Sequence, residues 1–74
     1  MESKAQKAPI AEIRELMQHI EDGNYADYML SDIRDTVDEY GLQDRSDVLE
    51  SVYDVFMKMG YFSEAASFGK EYGP

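Results

Sequence analysis

The chain has no cysteine and no tryptophan, one histidine, two prolines and only seven basic residues. Without cysteine there can be no disulfide, no thiolate metal ligand and no cysteine nucleophile. A single histidine does not make a zinc site, which needs further His or Cys ligands. Seven scattered bases against sixteen acids leave a net charge of −9, which repels a phosphate backbone and argues against nucleic-acid binding. No apolar run approaches the roughly 20 residues of a membrane span, and residues 1–9 lack the apolar stretch of a signal peptide. No glycine pair has phosphate-loop spacing, and no serine sits in a nucleophile elbow. The expectation is an acidic cytoplasmic protein that is not an enzyme, uses no cofactor or metal, and meets neither nucleic acid nor membrane.

What is present is enough for a packed fold. Hydrophobic residues make up 43% of the 74 positions, with six Tyr and three Phe among them. A chain this short buries about 60% of its unfolded surface, so its core is thin. Pairing two copies would enlarge that core, and a homodimer is one expected partnership. Residues 1–8 show no apolar periodicity and read as a flexible N-terminal tail; residues 9–74 read as one helical domain.

Glycines divide the domain. Gly23, Gly41, Gly60 and Gly73 each follow a stretch with helical spacing, where a residue just past a helix end must take a left-handed conformation. Segment one, about Pro9 to Asp22, has Pro in its first turn and a stripe of Ile10, Ile13, Leu16, Met17 and Ile20. Segment two is expected to open at Asn24 as N-cap and run about 16 residues, with Ala26, Met29, Leu30, Ile33, Val37 and Tyr40 inward.

Segment three begins between Asp44 and Asp47, with Asp47 or Ser46 as the cap. Its stripe, Val48, Leu49, Val52, Val55, Phe56 and Met59, is the most apolar in the chain. The spacing of three to four residues favours helix over strand despite the valines. Segment four, about Phe62 to Tyr72, takes Ser63 as cap and buries Phe62, Ala65, Ala66, Phe68 and Tyr72. Gly69 weakens that helix by roughly 1 kcal/mol but leaves room for a neighbour to come close. The links are short, so sequential helices should lie antiparallel. The predicted class is all-α: four short helices in two antiparallel hairpins, as a compact bundle or a solenoid-like pair.

A shift of 32 residues brings Ser31-Asp32 onto Ser63-Glu64 and Glu39-Tyr40-Gly41 onto Glu71-Tyr72-Gly73, and segments one and three match as stripes at a shift of 39. A period in the thirties built from helix pairs marks helical repeats. Within residues 47–73, Met59-Gly60-Tyr61-Phe62-Ser63-Glu64-Ala65-Ala66 resembles the turn and second-helix start of a tetratricopeptide-type hairpin. Gly60, Phe62 and Ala65 fall at the turn glycine, the following aromatic and the small contact residue, with Val52 and Phe56 on the first helix. Tyr53, Tyr28 and Gly69 depart from the pattern. The resemblance implies a helical hairpin and assigns no site residues.

Two constellations suggest a partner surface. Asp32, Asp35, Asp38 and Glu39 step along segment two as a negative ridge, interrupted by Arg34. Tyr25, Tyr28, Tyr53 and Tyr61 lie beside rather than within the stripes, and tyrosine is favoured at protein contacts. Neither His19, with Glu15 one turn before it, nor the glycines meet a catalytic or calcium pattern. Gly23 or Gly41 at the sixth position of a calcium loop puts Gln18 and Ile20, or Thr36 and Tyr40, where acids are required. The expected function is a non-catalytic protein–protein interaction module. The alternative is an acidic regulator that masks a basic or nucleic-acid-binding surface on its target.

Overall fold

Pro9 starts the first helix as expected: its missing N–H would have had no intrahelical partner there. A computed structural model of the protein describes residues 8–72. It places α1 at Pro9–Glu21, α2 at Asp27–Glu39, α3 at Ser46–Lys58 and α4 at Phe62–Tyr72, with no strand among the described residues. Residues 1–7 of the expected 1–8 tail and the cap at Gly73 lie outside the described residues. Ala8 is the extended residue that caps α1, its carbonyl accepting the Glu12 N–H at 3.1 Å.

Two helix ends are built alike. After α1, Gly23 takes φ 88°; its N–H bonds to Ile20 O, and Asn24 N–H reaches back to His19 O at 2.9 Å. After α3, Gly60 takes φ 83°; its N–H bonds to Met57 O, and Tyr61 N–H reaches Phe56 O at 2.8 Å. Both are Schellman motifs, which satisfy the last helical carbonyls and need glycine at the left-handed position. At the second, the Tyr61 ring also meets Phe56, the apolar contact that accompanies the motif.

The N-terminal caps differ from expectation. Asn24 does not cap α2. It serves the end of α1, and two more non-helical residues follow before Asp27 opens a 13-residue helix behind extended Ala26. α2 is therefore no longer than α1 or α3. Neither Ser46 nor Asp47 caps α3: the helix already starts at Ser46 behind Arg45, and the Asp47 carboxylate is held by Arg45 at 3.0 and 3.1 Å. Ser63 falls inside the first turn of α4, since the helix starts at Phe62. A 3-10 turn at Leu42–Asp44 joins α2 to α3 and buries Leu42, which carried no periodic signal.

Helix α1 packs against α2 and α3, and α3 packs against α4. Around the fourth side, Arg34 of α2 pairs with Glu71 of α4, and the Tyr72 hydroxyl donates to Asp38 Oδ1 at 2.9 Å. The four helices thus close around one core as a bundle, not an open pair. Ile13, Ile20, Ile33, Val37, Val52, Phe56 and Phe68 are fully or almost fully buried there, and Ala65 lets α4 approach. The Tyr53 ring covers Gly69, where an added Cβ would come within 3.3 Å of it. That contact accounts for a glycine in mid-helix.

Three residues expected inside are outside. Tyr40 follows the last helical residue and is 54% exposed. Phe62 and Ala66 are exposed because they stand about 90° or more around α4 from the line of Ala65, Phe68 and Tyr72. The ends of α2 and α4, at Glu39 and Tyr72, are 33 residues apart, close to the sequence shift of 32, but the first helices of the two hairpins follow a different offset. The equivalent turns, at Gly23 and Gly60, are 37 residues apart, as are the starts of α1 and α3. No helix among the described residues is long and apolar enough to cross a membrane.

Candidate partner-contact surface

The Gly23 turn and the Gly60 turn sit at the same end of the bundle. Their proximity is fixed by rings: Tyr25 lies 4.7 Å from Tyr61 and meets Phe56 edge-on at 5.6 Å, centroid to centroid. Tyr25 reaches this position because it stands on the non-helical link Asn24–Ala26, where no stripe governs its direction. Lys58 and Glu21, near the same turns, pair at 3.5 Å. Burial, then the Glu64 and Asp27 carboxylates, push the Tyr25 hydroxyl up to about 12.

The four expected tyrosines therefore do not form one surface. Tyr25 and Tyr61 are half-buried in the aromatic cluster, and Tyr53 is half-buried over Gly69. Only Tyr28 stands clear, at 61% exposure. Phe62, which the sequence placed in the core, is equally exposed at 61%. Tyr28 lies one turn beyond Tyr25, and Phe62 directly follows Tyr61. Two exposed rings thus stand in the first turns of α2 and α4, the helices that follow the two paired turns. The angular position of Phe62 on α4 was the available signal for it.

The acids Asp32, Asp35, Asp38 and Glu39 are all exposed on α2. Asp38 is already engaged, accepting from the Tyr72 hydroxyl at 2.9 Å and from Gln43 Nε2 at 3.3 Å. The backbone carbonyl of Asp32 takes the Thr36 hydroxyl at 2.8 Å, which satisfies the one polar side chain buried among the described residues. One of the four acids, Asp38, thus belongs to a seam with α4. Burial, then the bond to Asp38, push the Tyr72 hydroxyl up to about 12.

Tyr25 and Tyr72 give the protein an alkaline limit. Both shifts favour the neutral phenol in the folded state, above the ordinary value near 10. Their contribution to stability is whole below pH 10 and is lost as pH rises through about 12. Melting temperature should fall over that window, and fall less in the Tyr25→Phe/Tyr72→Phe double variant. Equal falls in the two proteins would show that these hydroxyls carry no such linkage.

A concavity of about 260 Å³ opens between α1 and α3. Ile10, Ile13, Met17 and Val48 line it, with Arg14, Asp47 and Ser51 as its polar groups. The two hydrogen bonds donated by Arg45 hold the Asp47 carboxyl below the usual carboxylate range. These groups offer no nucleophile paired with a base. His19 is exposed in the last turn of α1. Among the described residues, no three His, Asp or Glu side chains are grouped to hold a metal ion. Compared with protein-family models, curated proteins and solved structures, the chain matches none of them.

Proposed function

We propose that the protein is a non-catalytic protein-interaction module that meets its partner with the turn end of the bundle, Tyr28 and Phe62 acting as anchors. One observation carries this reading: two aromatic rings, each 61% exposed, stand in the first turns of α2 and α4, next to the turns that the half-buried Tyr25–Tyr61 pair brings together. Aromatic side chains supply large contact area at small entropic cost, and they dominate the energetics of protein contacts. The Schellman turns hold the flanking backbone in place, so little ordering remains to be done on binding.

The test begins with the partner captured from the native cell by the tagged protein. Tyr28→Ala and Phe62→Ala should each weaken that complex by about 1–2 kcal/mol, or roughly 5- to 30-fold, while leaving thermal unfolding unchanged. Full affinity in the double variant would overturn the proposal. The acidic-regulator alternative rests on Asp32, Asp35 and Glu39, because Asp38 is already bonded to α4.

A further inference from the structure

We propose that the open seam between α1 and α3 is the contact face of a weak homodimer, in which Arg14 of each copy pairs with Asp47 of the partner subunit. The four sides of the bundle are not closed equally. The α2–α4 side carries the Arg34–Glu71 pair and the Tyr72–Asp38 bond. The α3–α4 side is filled by Tyr53 over Gly69. The α1–α3 side is tied at the turn end by Lys58 and Glu21, then opens toward the helix starts into the groove of about 260 Å³. Ile10 and Met17 of α1 and Val55 of α3 are apolar and only partly buried, although each packs on the core.

The groove's charges select a second copy as the occupant. Its base, Arg14, stands on α1 and its acid, Asp47, on α3. α1 and α3 run in the same direction, both ending at the paired turns, so a two-fold axis running along the groove lays α1 of one copy over α3 of the other. The same rotation brings both Arg14–Asp47 pairs together at once, the self-complementarity that an isologous contact requires. Asp47 can accept Arg14 in addition to Arg45, because a carboxylate offers about four lone-pair sites.

The face is small. Each helix has 13 residues, so it is about 20 Å long, and packed helices lie 8–10 Å apart. Two such helices present less than the roughly 800 Å² per partner of a standard interface. With −9 on each copy opposing association, the dimer is weak, with a dissociation constant on the order of 10–100 µM at 0.15 M salt.

Sedimentation equilibrium of the whole chain, in 0.15 M sodium chloride, tests this directly. The wild type should pass from monomer to dimer between about 5 and 500 µM. Arg14→Glu alone and Asp47→Lys alone should each weaken dimerisation by about tenfold or more, by placing like charges opposite one another. An equimolar mixture of the two variants should restore it, because each mutated residue then faces its opposite charge. Circular dichroism melts of both variants establish that they remain folded. Phe62→Ala should leave the dimer unchanged, which separates this face from the turn end. A wild type monomeric at about 1 mM, variants that dimerise normally, a mixture that stays monomeric, or loss of the dimer with Phe62→Ala would each overturn the proposal.

Discussion

Phe56→Ala should abolish cooperative folding, or bring the urea midpoint close to zero. The ring has no exposed surface and lies in the most apolar helix. It touches Tyr25 and Tyr61, and its own carbonyl accepts the closing bond of the α3 Schellman motif. Truncating a buried Phe costs about 3–5 kcal/mol through lost transfer energy and the cavity left behind. A 74-residue domain has a total stability of about 4–11 kcal/mol at the usual 0.05–0.15 per residue. Urea unfolding followed by circular dichroism measures the difference. A variant within about 1 kcal/mol of wild type would mean that Phe56 is not the packing centre of this end.

Tyr25→Ala should cost about 2–3 kcal/mol, although Tyr25 lies on no helical stripe. Aromatic pairs contribute about 0.5–1.5 kcal/mol each beyond burial, and Tyr25 makes two, with Phe56 and Tyr61. The half-buried ring adds apolar area to that sum. Tyr28→Ala, three residues on, should stay within about 0.5 kcal/mol of wild type, as surface substitutions do. A position beside the stripes would by itself predict the opposite, a loss that leaves the melt near wild type. Thermal unfolding of the two variants side by side decides it. Equal melting temperatures would contradict the ring cluster.

These residues show where a sequence can be read and where it cannot. Helical periodicity reports the inward face of any segment long enough to repeat. The cores of α1, α2 and α3 followed from their stripes, and α4 matched from Phe62 to Tyr72. The left-handed turns at Gly23, Gly41 and Gly60 followed equally well, because only glycine takes that conformation cheaply. Asn24 misled because the same residue type suits an N-cap and the position after a Schellman glycine, and nothing local separates the two. Asp47 misled because the helix already starts at Ser46 behind Arg45, and Arg45 holds the carboxylate.

The candidate site was less legible than the fold. Tyr25 and Tyr61 stand outside helices, so no period fixes their direction, and only the meeting of two distant turns made them neighbours. Phe62 could have been placed by its angle on α4, but its size and apolar character drew it into the expected core. The α1–α3 groove depends on which apolar residues fall at a seam between helices, and a single stripe does not carry that information.

Partner recognition by the turn-end rings is tested most directly by titrating the captured partner with wild type and Tyr28→Ala/Phe62→Ala across a salt series. Apolar burial is not screened, so wild-type affinity should change little with ionic strength, and the double variant should lose about tenfold or more at every salt concentration. Affinity that falls steeply with salt and ignores both rings would contradict the aromatic surface and assign recognition to the acids of α2.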